Sequence, residues 1–235
     1  MIRRIPFESL YLAEHGWLRS RFHFSFAEYR NPDNVHFGVL RVMNDDVIAP
    51  GSGFDMHPHN DMEIVTYVIS GELTHEDSMG HRETLGRGDV QYMSAGTGVL
   101  HSETNEGREP VHLIQTWIFP RARHLKPRYG SVRFSKTERE NRWLRFAGPD
   151  GDDTPVQLHQ DVNLFAAELS SGKTLTFETG EDRQLYVKVM EGDVIMNGIA
   201  LGQGDAAEAA GETLRFVAAA YAHLLVVEMA KDRED

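Results

Sequence analysis

The sequence predicts an all-β protein built as two antiparallel β-barrels in one chain, and three observations predict it. From residue 37 onward, short β-branched or aromatic runs alternate with Gly, Asn, Asp and Pro clusters: FGVLRVMNDD, EIVTYVISGELTHED, DVQYMSAG, VHLIQTWIFP. After Pro120 the chain turns basic and irregular, PRARHLKPRYGSVRFSKTERENRW, before a second β-rich series begins near Leu144. That second series weakly echoes the first, since YVISGEL at 67–73 resembles KVMEGDV at 188–194 and GDVQYMSAG at 88–96 resembles GDAAEAAG at 204–211. Two copies of one barrel are expected, over residues 1–130 and 131–235.

Each element follows from local chemistry. The segment LTHEDSMGHRETL reads as a hairpin turning at Ser78, Met79 and Gly80, because strand-like flanks enclose turn-forming residues. With 235 residues, 40% of them hydrophobic, the chain can fill real cores. Its N-terminus lacks the apolar stretch of a signal peptide and nowhere do 18 apolar residues run together, so a cytoplasmic protein without a membrane span is expected. The acidic tail KDRED reads as a solvated terminus.

Composition restricts the chemistry. There is no cysteine, which excludes disulfides, thiolate metal sites, iron–sulfur clusters and cysteine nucleophiles, so any metal must sit on His and carboxylate. The formal charge of -12 repels phosphate backbones, and no arginine-rich stripe opposes it; direct nucleic-acid binding is not expected.

His57 and His59 form an H-x-H pair, and two residues apart on a strand means one shared face, here the barrel interior. Pro58 between them lacks a ladder donor and indicates a strand end or edge. Twelve histidines would produce about 0.6 such pairs by chance, so the pair alone is weak. His101 and Glu103 again share a face, but H-x-acid also occurs at His75/Asp77, His81/Glu83 and His159/Asp161. The surroundings carry the signal.

GSGFDMHPHNDME and GDVQYMSAGTGVLHSETN resemble the two cupin motifs. Gly51, His57, His59, Glu63 and Gly71 answer the first, with one extra residue before the last glycine. Gly88, Gly96, His101 and Asn105 answer the second, with Ser94 in place of a proline and two additional residues before the histidine. These departures mark pirins, a bicupin family. The resemblance extends through HGWLRSRFHFSFAEY, LRVMNDDVI, HPHNDMEIVTYV, DSMG and MSAGTGVLHSE, most of the first 120 residues. The second half is similar only as a degenerate cupin barrel: counting from Gly71 and Gly192, the positions matching His57, His59 and His101 fall near Glu178, Gly180 and Val217.

The resemblance implies one divalent transition metal on His57, His59, His101 and Glu103, which leaves Glu63 beside the ligands rather than among them. Three imidazoles and a carboxylate suit iron(II), the leading expectation, and also Mn, Ni, Co, Cu or Zn. Binding needs neutral His and ionised Glu, so affinity is expected to fall as pH drops through the histidine range. Phe22, Phe24, Phe26 and Phe37 are candidates for an apolar lining above the metal, against the plainer reading as core. His23, His36, His75, His81, His112, His124, His159 and His223 read as structural or exposed.

Bacterial pirins imply a dioxygenase of the quercetin 2,3-dioxygenase type, cleaving a flavonol-like enol with dioxygen and releasing carbon monoxide. Glu103 is then the expected base for the substrate hydroxyl, with Glu63 in reserve. Eukaryotic pirin implies instead a non-enzymatic, iron-dependent regulator whose redox state alters contact with a protein partner. A cupin metalloenzyme with a different substrate is the third reading.

Overall fold

Strand Glu63–Ser70, EIVTYVIS, shows how the sequence dictates the first half: every residue but Ser70 is buried. It pairs antiparallel with Val90–Ser94 on one side and Val111–Ile118 on the other. An interior strand covered on both faces needs no alternation, hence its nearly continuous β-branched run. The protein is described here by a computed structural model over residues 2–231; the end of the acidic tail, 232–235, lies outside the described residues. No helix among the described residues is long and apolar enough to cross a membrane.

The described residues divide into two compact units, one of 11–134 with 158–160 and one of 2–10, 135–157 and 161–231. The first unit packs a seven-stranded sheet against a four-stranded one. The larger runs in the order Arg128–Val132, Val90–Ser94, Glu63–Ser70, Val111–Ile118, Leu40–Ile48, Leu18–Phe22, Tyr11–Glu14; the smaller runs Ser52–His59, Val99–Asn105, Leu73–Asp77, Arg82–Leu85. Side chains from both sheets interleave, with Leu73 and Leu85 of the smaller meeting Ile48, Val68, Val111 and Leu113 of the larger. The hairpin turns at 78–80 as the sequence predicts, and Asp77 fixes it by accepting the Met79 and His81 backbone N–H groups at 2.9 and 3.1 Å.

Ser52–His59 is the edge strand that Pro58 foretold. Its pairing with Val99–Asn105 is irregular: His101 faces His57 but Glu103 faces Phe54. Asp55 and Met56 together therefore oppose the single Ser102, a β-bulge. The extra residue lets Phe54, His57 and His59 all turn inward, which strict alternation forbids, and leaves Asp55 and Met56 exposed. Gly53 sits where its neighbour passes closest; a Cβ there would strike the Glu103 carbonyl oxygen and lie 2.5 Å from Thr104 Cα.

The second unit is organised on two long strands, Arg183–Met196 and Leu214–Ala230, paired along their length. Leu185, Val187, Phe216, Leu224 and Val226 centre its core. The N-terminal strand Ile2–Ile5 belongs here, pairing with Ala206–Ala210. Of the positions counted as counterparts of the histidines, Val217 faces Thr174, while Glu178 and Gly180 follow the strand Thr174–Phe177.

Candidate metal centre

The bulged edge strand and its neighbour bring His57, His59 and His101 together. One ring nitrogen from each lies within 4.8 Å of the others, and ring centroids are 4.5 to 4.8 Å apart. His57 Nδ1 sits 2.7 Å from the Asp55 carbonyl oxygen, which only an N–H can approach, so its Nε2 carries the lone pair. That Nε2 points at His101 Nε2, 3.1 Å away. His101 Nδ1 is buried without a hydrogen-bond partner among the described residues. Burial first, and the neighbouring imidazoles second, push His59 down to about 4 and His101 down to about 3. Imidazoles converging in a pocket, two of them kept neutral by burial and a third oriented by a backbone carbonyl, are the donor chemistry a divalent metal requires.

Glu103 lies on the same strand as His101 but in a second group, within 4.8 Å of His75 and His101 rather than of all three histidines. Its carboxylate is held from the facing sheet. Gln91 Nε2 donates to Oε1 at 2.5 Å, Thr66 Oγ1 to the same oxygen at 3.3 Å, and Gln115 Nε2 to Oε2 at 2.6 Å. Trp117 Nε1 donates to Gln115 Oε1 at 2.9 Å, which fixes the amide orientation so that its NH₂ must face Glu103. The Trp117 ring stands edge-on to His59 at 4.8 Å, tying the same support to an imidazole.

A cavity of about 150 Å³ opens beside these groups, lined by Phe26, Asn44, Asp46, Phe54, His57, His59, Glu103, Gln115 and Trp117. Of the four candidate phenylalanines only Phe26 lines it. Phe22 packs behind Phe26 at 5.2 Å, Phe24 is core, and Phe37 makes a β-bridge with Leu40. Glu63 is buried away from this lining, its Oε2 accepting the His159 backbone N–H at 2.8 Å.

Five contributors escaped the sequence reading. His75, read as structural or exposed, is fully buried beside His101 and Glu103, with Nε2 on Asp77 at 3.2 Å and its ring stacked on Tyr129 at 4.2 Å. Gln91 and Gln115 are long polar side chains in mostly apolar strands, a signal that could have marked them. Asn44 and Asp46 sit in the middle of strand Leu40–Ile48, where polar residues are out of pattern. Burial pushes Asp46 up to about 7, with Asp45 and Glu103 adding to the rise and the Ser20 hydroxyl and His112 opposing it.

Two cupin halves in one chain, the first carrying a histidine and carboxylate centre on facing strands, define a bicupin protein. A pirin profile matches residues 7–118, and one for a quercetinase C-terminal cupin domain matches 146–229. The chain is 43% identical to a pirin-like protein of Caulobacter vibrioides over 88% of this chain and 90% of that one. It is 42% identical to quercetin 2,3-dioxygenase of Escherichia coli K12 over 82% and 83% respectively. The crystal structure of the Escherichia coli bacterial pirin YhhW in complex with nickel(II) superimposes with a TM-score of 0.92 at 36% identity, covering 99% of this chain and 100% of that one. The chain belongs to the pirin family.

Proposed function

We propose that this chain is a metal-dependent dioxygenase of the quercetin 2,3-dioxygenase type, with one divalent transition metal, iron(II) or nickel(II) first, held by His57, His59, His101 and Glu103. The metal belongs to the unit of residues 11–134 with 158–160, and the other unit contributes none of these four residues. The observation that carries this reading is the meeting of His57, His59 and His101, with the clamped carboxylate of Glu103 beside His101, next to a cavity with aromatic walls that His57, His59 and Glu103 line. A nickel(II) complex of YhhW and the quercetin 2,3-dioxygenase of Escherichia coli support it.

A metal held there supplies a Lewis acid for an enol oxygen and open positions for dioxygen. The chain's own residues do the rest. Phe26, Phe54 and Trp117 offer flat apolar surfaces that orient a planar ring and exclude water. Gln91, Gln115 and Thr66 keep Glu103 fixed, so the ligand set needs little rearrangement.

The volume narrows the substrate. A cavity of about 150 Å³ is the size that takes up one benzene ring, well below the 300 Å³ or more of sites for drug-sized ligands. A three-ring flavonol is too large to be enclosed whole, whereas a single-ring enol such as a 3-hydroxy-4-pyranone fits within that volume. The test is oxygen uptake by protein reconstituted with iron(II), nickel(II) or manganese(II), given quercetin or maltol, with His57→Ala and Glu103→Ala as controls. Metal-dependent uptake lost in both variants is expected. Uptake that survives in His57→Ala, or a metal-loaded wild type that consumes no oxygen with either compound, overturns the reading.

A further inference from the structure

The histidines and Glu103 come from the four-stranded sheet, but the cavity also has a polar wall from the seven-stranded one. Asn44 and Asp46 stand two residues apart on strand Leu40–Ile48, share its inward face, and both line the cavity. Asp46 is only 2% exposed. Its Oδ1 accepts the Ser20 hydroxyl, and its Oδ2 takes no hydrogen bond among the described residues. Asn44 Oδ1 is likewise buried without a partner. Its neighbour shows what a structural carboxylate on this strand looks like: Asp45, facing the other way, is paired with His112 at 2.6 Å. Two polar groups with spare capacity, buried together on the wall of one cavity, imply a ligand that satisfies them.

Resting on the reading of the site as a metal-dependent enol oxygenase, we propose that Asp46, rather than Glu103, accepts the proton of the substrate hydroxyl. The substrate O–H bond breaks, its electron pair stays on the substrate oxygen, and the proton forms a new O–H bond on Asp46 Oδ2. Asn44, beside it, donates its Nδ2 to an oxygen of the same ring when its amide is turned toward the cavity. Glu103 is poorly placed for that work, because both of its oxygens already accept N–H donors from Gln91 and Gln115. Glu103 would also hold the metal, which together with Gln91, Thr66 and Gln115 fills its acceptor positions, whereas Asp46 Oδ2 accepts no donor among the described residues.

The test needs no turnover. Zinc-loaded protein is mixed with maltol without oxygen, and binding is followed by the ligand's ultraviolet band, which moves on ionisation. Infrared difference spectra then show whether a protonated carboxyl appears on binding. In wild type that C=O band is expected, displaced by ¹³C labelling of aspartate carboxyls and not by labelling of glutamate. Asp46→Asn should abolish the band and lower the ionised fraction of bound maltol at least tenfold at neutral pH, with zinc affinity within about twofold of wild type. A band that follows the glutamate label, or ionisation without any carboxyl band, overturns the assignment while leaving the metal site intact. Absence of maltol binding to the zinc-loaded protein overturns the functional reading as well, so the two failures are distinct. The labelling measurement uses wild type alone and holds even if the Asp46→Asn chain does not fold.

Discussion

Replacing Asp46 by asparagine keeps the shape of the side chain and an oxygen for the Ser20 hydroxyl but removes a buried charge. In the folded protein the carboxyl is pushed from 3.8 to about 7, chiefly by burial, so the folded state favours the protonated form more than the unfolded chain does. The penalty on folding is therefore absent below the unfolded value, grows as pH climbs between about 4 and 7, and is complete above 7. At about 1.4 kcal/mol per pH unit the full penalty is about 4 kcal/mol, a large share of the stability of a domain this size. Asp46→Asn should relieve it in metal-stripped protein. The variant's advantage in urea unfolding should be about 4 kcal/mol at pH 8 and less than about 2 kcal/mol at pH 5. The new amide N–H₂ can cost about 1 to 3 kcal/mol if it finds no acceptor, but that offset is the same at both pH values. The diagnostic is thus the change between pH 5 and pH 8. Equal differences at the two pH values, or a variant that loses ground as pH rises, would refute the reasoning.

Gln115→Leu removes one donor to Glu103 and the acceptor of Trp117, and should weaken metal affinity roughly tenfold to a hundredfold by competition with a chelator, with the fold preserved by circular dichroism. Because His59 and His101 are held at about 4 and about 3, the unfolded chain takes up their protons first. Metal-free protein should therefore lose stability as pH falls from about 6.5 toward 4, followed by thermal unfolding. By the same values, these two imidazoles should compete with protons for the metal only near pH 4, later than an exposed histidine would. Gly53→Ala should destabilise by several kcal/mol in urea, on the order of the larger overpacking costs, because the obstacle is backbone at Glu103 and Thr104 and cannot swing aside. The same change should lower metal content per chain, since it wedges apart the two strands that carry the ligands.

The strand rhythm, the turn at 78–80 and the edge position of the Pro58 strand were legible because each is a local preference expressed within a few residues. The H-x-H and H-x-E pairs were visible for the same reason, and structure brings the three histidines together. What was hidden is relational. The MNDD run in strand Leu40–Ile48 resembles a strand giving way to a turn, and only a facing sheet with a cavity makes Asn44 and Asp46 meaningful. The carboxylate clamp draws Gln91, Thr66 and Gln115 from three separate strands, a convergence no window of sequence contains. The pairing of Ile2–Ile5 with Ala206–Ala210 spans almost the whole chain, so local pattern could not place it.

The bulge at Asp55 and Met56 carries a consequence for how such a site tolerates change. The acceptor that sets the His57 tautomer is a main-chain carbonyl, that of Asp55, and the side chain of Asp55 points into solvent. Substitution at position 55 leaves that acceptor in place, whatever residue arrives, provided the backbone keeps its path. Loss of a single residue between Phe54 and His57 would instead restore a regular ladder and withdraw the carbonyl, although every histidine remained. One part of this metal centre is therefore specified by the number of residues in a strand, and is protected against point mutation while exposed to deletion.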